Sequence, residues 1–185
     1  VELRALKGIR PDELAGFLEG GYSSPSRYAV RKIEDAGRTV IEAERVGLAT
    51  PYMKQWERSD VEEIARYMGF AGQDYSLGTY DQGRLVGLAL CETHRWNRTV
   101  WIWELKVAES HRRRGIGRRL VDAVARRASA DGLRAIGLET QSTNVPAIDF
   151  YRAVGFELEG IDLSFYTNTD SVDGEVAFFM RRKLT

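Results

Sequence analysis

The sequence predicts a mixed α/β domain with a largely antiparallel, twisted central sheet flanked by helices. Three observations carry that expectation. From Tyr75 to Ala108, two alternating apolar runs and a longer third one follow each other across turn signals, as neighbouring strands do. Between Thr99 and Gly155 the pattern then switches to strand, helix, strand, helix. Two further apolar runs close the chain like a terminal hairpin. At 185 residues, with no linker, repeat or low-complexity tract, one domain spanning 1–185 is expected.

The elements follow in order. "RPDELAGFLEG" spaces Leu14, Phe17 and Leu18 as a helix does, with Pro11 at its start and glycine at its end. "SSPS" reads as a turn, and "YAVRKIED" with "RTVIEAERV" as a hairpin around Ala36-Gly37. "DVEEIARYMGF" is a second helix, with Ser59 and Glu62 placed to form a capping box. "YSLGTY" and "RLVGLALCETH" pair across "DQG", and "TVWIWELKVA" follows as a long strand. In "GIGRRLVDAVARRASADG", Ile116, Leu120, Val121, Val124 and Ala128 share one face of a helix that Gly132 ends. "LRAIGLETQ" suits a strand buried on both faces. "VPAIDFYRAVG" is a short helix with Pro146 near its start and Gly155 as its stop. "FELEGIDLSFYT" and "EVAFFMRRKL", separated by "NTDSVDG", are the closing strands.

Composition removes several functions. Lys+Arg and Asp+Glu balance at 27 each, so the chain has no overall charge with which to condense onto nucleic acid. No apolar run approaches the roughly 18 to 20 residues of a membrane span, and no leader pattern opens the sequence, so a soluble, cytoplasmic protein is expected. Cys91 is the only cysteine; it lies in the apolar "LVGLALCE" and reads as a buried strand thiol. No metal site is expected.

The stretch "RRRGIG", Arg112 to Gly117, stands between the long strand and the amphipathic helix. A strand, a turn and a helix start gather unpaired N–H groups and the positive end of a helix dipole in one concavity, which is an anion site. Gly115 and Gly117 lack a Cβ, so a phosphate can approach the main chain and the turn can use positive φ. The arginines would add charge to a site the backbone defines; on these six residues alone, a glycine-containing turn beside a solvated basic helix face is the alternative. Neither the P-loop lysine nor the dinucleotide glycine pattern is present.

These residues resemble a known superfamily. "LKVAESHRRRGIGRRLVDAVARRA" is similar to the acetyl-CoA-binding strand, turn and helix of the GNAT superfamily of N-acetyltransferases, and "TNVPAIDFYRAVGF" to its second motif. The likeness covers about Thr99 to Phe156 and leaves the segment from Tyr22 to Trp56 uncovered. A narrower likeness, to streptothricin (nourseothricin) acetyltransferases, runs through "RWNRTVWIWELKVAESHRRRGIG", "LETQSTNVPAIDFYRAVGFELEGID" and "FYTNTDSVDGEVAFFM". Where paired acidic residues are expected on the fourth strand, this chain has Trp103-Glu104, a single carboxylate.

The resemblance implies a sheet splayed between its fourth and fifth strands and direct acetyl transfer, in a ternary complex, from acetyl-CoA to a primary amine of a small cationic molecule. The backbone of Arg112, Arg113, Arg114, Gly115, Ile116, Gly117 and Arg118 would bind the pyrophosphate. Main-chain groups of Leu105 and Val107 would hold the pantetheine arm and polarise the thioester carbonyl. Asn144 would bind that arm or cap its helix. Tyr151 would be the general acid for the thiolate, its alternative being a core aromatic beside Phe150. Glu104, among Trp101, Trp103, Leu105 and Val107, would be partly desolvated and suited to a base or substrate anchor; a carboxylate paired with lysine or arginine is the alternative. Glu139, Asp162 and Tyr166, with Asp170, would line the acceptor pocket; a strand and its polar turn account equally well for Asp162, Tyr166 and Asp170, and Glu139 stays open as the base in place of Glu104. His94 and His111 read as surface loop residues. A CoA-binding regulatory domain, a protein or peptide N-acetyltransferase, and a homodimer stay open; retention of Glu104 and Tyr151 argues against the first.

Overall fold

The computed structural model describes residues 1–56 and 60–184. It has nine strands and five α-helices among these residues: β1 (Glu2–Ala5), α1 (Pro11–Leu18), β2 (Gly21–Asp35), β3 (Arg38–Gln55), α2 (Val61–Met68), β4 (Leu77–Asp81), β5 (Arg84–His94), β6 (Thr99–Val107), α3 (Ile116–Ala130), β7 (Ala135–Gln141), α4 (Val145–Ala153), β8 (Glu157–Asp162), α5 (Asp170–Asp173) and β9 (Ala177–Lys183). Seven strands form one sheet in the order β1-β4-β5-β6-β7-β9-β8, and β2 with β3 forms a separate ribbon. Within that sheet β1 with β4, β4 with β5, β5 with β6 and β8 with β9 pair antiparallel, and β6 with β7 pairs parallel. The mixed, mostly antiparallel sheet flanked by helices is the architecture the sequence predicts.

The chain divides into two compact units, Val1–Gly20 with Trp56–Leu138 and Arg182–Thr185, and Gly21–Gln55 with Glu139–Arg181. In the first, α1 and α2 cover one face of β5: Leu6, Leu14, Leu18, Tyr67, Leu85, Leu88 and Leu90 form a buried cluster. Helix α3 buries the face read from its spacing, Ile116, Leu120, Val121, Val124 and Ala128 together with Ala125. Burying such a Leu or Val contributes roughly 1.5–3 kcal/mol each. Gly132, at φ 73°, follows the end of α3 as expected.

In the second unit, Tyr28, Val145, Ile148, Val154, Phe156 and Phe178 are buried, and the Tyr28 and Phe178 rings meet at 5.4 Å. Asn144 accepts from the Ala147 N–H at 3.3 Å and so caps α4. Gly155, at φ 91°, stops it.

Several expectations change. "SSPS" is not a turn: it lies within β2, as an irregularity between Ser24 and Ser26. Pro25 has no N–H to give a ladder, which makes a bulge the natural outcome. Strand β3 extends well past Val46, to Gln55. The strand expected from Phe156 to Thr167 runs only from Glu157 to Asp162, and the remainder is a loop leading to α5. Strand β1, unread in the sequence, pairs with β4 from Glu2↔Tyr80 to Ala5↔Leu77. Ser59 lies outside the described residues; Asp60 precedes α2 and accepts from the Glu63 N–H at 2.7 Å. Among the described residues, no helix is long and apolar enough to cross a membrane.

Candidate active site

The turn after β6 has the form an anion site needs. Gly115 stands in the left-handed region, at φ 76°, immediately before α3, and no side chain caps the helix. The N–H groups of the first turn therefore meet the solvent side at the positive end of the dipole. A Cβ at Gly115 would meet nothing within 4 Å, so the space over the turn is open. These features fit a pyrophosphate. Two details differ from expectation. The second positive φ belongs to Arg113, at 59°, not to Gly117, which is already helical. Arg112 folds back, its Nε donating to the Val107 carbonyl at 3.2 Å, so it braces the turn.

Strand β6 pairs with β5 along its length but with β7 only from Thr99↔Ala135 to Trp101↔Gly137. Beyond Trp101, β6 pairs with β5 alone, which leaves the Leu105 and Val107 main chain on an edge. The β5 ladder pairs Leu90 with Glu104 and Cys91 with Ile102, so Trp103 is an extra residue in β6. This bulge reverses the alternation. Glu104 falls on the face of Leu90, whereas a regular strand would place it with the buried Ile102.

The Glu104 side chain is 18% exposed and lies 3.5 Å from the Lys106 ammonium. The Lys106 ammonium is itself 4.1 Å from the Trp56 ring centroid. Burial, followed by the nearby Glu104 charge, raises the Tyr67 phenol's pKa so that it keeps its proton beside Glu104. The structure thus supplies both of the surroundings considered for Glu104: partial burial and a lysine partner. Trp103 is fixed by its Nε1–H to Glu92 at 2.9 Å and by stacking on Phe70 at 5.3 Å.

Tyr151 is half-buried on α4, between Phe150 and Phe156 at 5.4 and 5.7 Å. On β7, Glu139 accepts a hydrogen bond from the Tyr166 hydroxyl, so two of the expected acceptor residues meet. Burial and the Glu139 charge push the Tyr166 phenol strongly up. Asp162 instead accepts from the Ser164 N–H at 2.9 Å and shapes its own turn. Asp170 is buried and takes the N–H groups of Tyr166 and Thr167 at 2.7 Å each, so it organises the loop that carries Tyr166.

Sequence reasoning missed Glu175. It accepts from Tyr52 at 3.0 Å, Lys54 at 2.6 Å and Thr143 at 2.9 Å. The Tyr22 and Thr143 hydroxyls are 2.6 Å apart. In the sequence Glu175 is only a carboxylate two positions ahead of the last strand. Cys91 is fully buried, and burial pushes its thiol pKa up, as expected of a structural thiol. His94 and His111 pair with Glu92 and Asp81, at 3.3 and 3.0 Å.

A mixed sheet whose inner strand bulges, frees one edge and ends in an open glycine turn before a helix defines the acyl-CoA-dependent acyltransferases as a class. The acetyltransferase (GNAT) family pattern matches residues 28–156, and the chain belongs to that family. The match reaches back to Tyr28, into the ribbon the two motifs leave uncovered. A streptothricin acetyltransferase of Streptomyces lavendulae is 36% identical over 60% of this chain and 61% of its own length. One from Escherichia coli is 34% identical over 70% of each. The crystal structure of nourseothricin acetyltransferase superposes with a TM-score of 0.76 at 26% identity, covering 100% of this chain and 98% of that one.

Proposed function

We propose that this chain transfers the acetyl group of acetyl-CoA to a primary amine of a small cationic molecule, with the β-lysyl amine of streptothricin-type antibiotics as the leading acceptor. The observation that carries the reading is the turn: an uncapped helix start, Gly115 in the left-handed region, and open space above it, directly after a strand with a free edge. Bound there, acetyl-CoA supplies an activated acetyl thioester. The amides of Ile116, Gly117 and Arg118 hold its pyrophosphate, and Leu105 and Val107 offer main-chain groups to the pantetheine arm.

The chain's own groups manage the protons. An ammonium acceptor must lose a proton before it attacks, and Glu104 takes it, directly or through water, held in place by Tyr67 and Lys106. The Tyr151 hydroxyl gives a proton to the departing sulfur. Glu139 attracts the cationic acceptor, with Tyr166 holding its carboxylate. Streptothricin acetyltransferases as relatives support this acceptor class.

The test is thiol release from acetyl-CoA in the presence of streptothricin, spermidine or an unblocked peptide. Release with streptothricin above the others is expected. Release with the peptide alone would make the chain a peptide acetyltransferase, and none with any acceptor would leave only a CoA-binding module.

A further inference from the structure

The ribbon of β2 and β3 is the least explained part of the molecule, yet it grips one helix at both ends. Before α4, the Tyr28 N–H donates to the Ser142 carbonyl at 2.9 Å, and Tyr22 meets Thr143 at 2.6 Å. Midway along the helix, Arg45 Nη1 donates to both carboxylate oxygens of Asp149, at 3.2 and 3.1 Å. The same guanidinium is steadied by its Nε–H to Ser26 Oγ at 3.1 Å. In the last turn, Arg152 donates to the Tyr28 hydroxyl, and its guanidinium lies 5.3 Å from that ring.

Asp149 and Arg152 are three apart and share a face of α4. Tyr151 lies between them in sequence, about 100° around the helix from Arg152. Holding the one face therefore fixes the rotation of the helix, and rotation decides where a tyrosine hydroxyl points. A displacement of about 1 Å at a reacting group costs on the order of a hundredfold in rate. An exposed ion pair, by contrast, adds little to stability. Arg45 and Asp149 are each 47% exposed, so their contact has small thermodynamic weight and large positional consequence.

We propose that the β2–β3 ribbon is a positioning clamp for α4: the Arg45–Asp149 pair and the Arg152–Tyr28 hydrogen bond set the rotation of the helix and thereby the aim of the Tyr151 hydroxyl. The inference rests on Tyr151 acting as the acid. Arg45, Asp149, Tyr28 and Arg152 are positioning residues and take no proton themselves.

The test is a charge swap. With streptothricin as acceptor, Arg45→Glu and Asp149→Arg should each lower kcat about tenfold, with KM for acetyl-CoA within about twofold. Melting temperature should move by no more than about 2 °C. The double variant should recover kcat to within about threefold of the parent, because it remakes the pair with reversed sign. Tyr28→Phe, which keeps the ring and removes the hydroxyl, should repeat the kcat loss in milder form. Single variants with full kcat, or a double variant no better than the singles, would overturn the clamp. Tyr151→Phe is measured in parallel. If it keeps full kcat, the acid assignment fails, and the clamp is judged by amide exchange over residues 147–153. That exchange must quicken in Arg45→Glu and slow again in the double variant; unchanged exchange would overturn the clamp on its own.

Discussion

At the scale of single residues, the turn separates backbone from charge. Gly115 needs its left-handed φ, and a β-branched residue there carries a backbone penalty of about 1–3 kcal/mol besides intruding on open space. Gly115→Val should therefore weaken acetyl-CoA binding by about tenfold or more in calorimetry. Arg113 allows a sharper comparison because it too has positive φ. Arg113→Gly relieves that conformation and removes the charge, so retained affinity is expected, whereas equal losses for the glycine and alanine variants would make the guanidinium the principal contact. Gly117 is helical, so Gly117→Ala reads only how closely the ligand approaches. Asp170 carries a second prediction. Burial opposes its charge, but hydrogen bonds from the Thr167 hydroxyl and the nearby backbone outweigh this and hold its carboxyl below the ordinary value. A depressed folded-state pKa means that its stabilisation is present above the ordinary carboxylate range and is lost as pH falls through the folded value. Exchange of the Tyr166 and Thr167 amides, relative to their intrinsic rates, should be slow at neutral pH and quicken as pH falls below the ordinary carboxylate range. In Asp170→Asn it should already be faster at pH 7, without the acid step; an acid step surviving in that variant would assign it to another carboxylate.

At the scale of elements, legibility followed the range of the forces involved. The α3 face, the stops at Gly132 and Gly155 and the glycine turn were readable because the cause of each lies within a few residues of sequence. The bulge at Trp103 was not: strict alternation groups Glu104 with Ile102, and only the ladder to β5 shows the extra residue that moves it to the other face. Glu175 was invisible for a similar reason, since Tyr52 and Lys54 lie more than a hundred positions away in the chain. The ribbon was half legible. Its tip around Ala36-Gly37 was plain, but Pro25 looked like a chain reversal when it is an interruption within a continuing strand. Every grip the ribbon has on α4 lies in its base, at Tyr22, Tyr28 and Arg45, while residues 31–39 are exposed. Replacing 31–42 by Asn-Gly joins Val30 to Ala43, which already face each other. That shortened chain should keep kcat within about twofold and fold as before. A large loss of turnover would move the ribbon's role from its base to its tip.

At the scale of the whole molecule, charge balance decides how each substrate is attracted. With 27 basic and 27 acidic residues there is no net field to steer either a polyanion or a polycation. Attraction must come from local groups, and the two substrates meet different kinds. The acetyl-CoA site is proposed to rest on oriented amides at the start of α3, which act at hydrogen-bond range and are poorly screened. A cationic acceptor is proposed to be drawn instead by the carboxylates of Glu139 and Glu104. Raising ionic strength from about 0.01 to 0.1 M shortens the screening length from about 30 to 10 Å. KM for spermidine or streptothricin should rise several-fold over that range, while KM for acetyl-CoA changes by less than about twofold. Turnover at saturation should not respond, because the proton transfers proposed for Tyr151 and Glu104 are short-range steps that salt does not screen. Glu139→Gln should flatten the acceptor's salt dependence and leave that of acetyl-CoA alone. An acetyl-CoA dependence as steep as the acceptor's would show that Arg113, Arg114 and Arg118 bind the pyrophosphate as charges, and the backbone account of the turn would fall. A flat acceptor dependence in the parent would instead remove Glu139 from acceptor recognition.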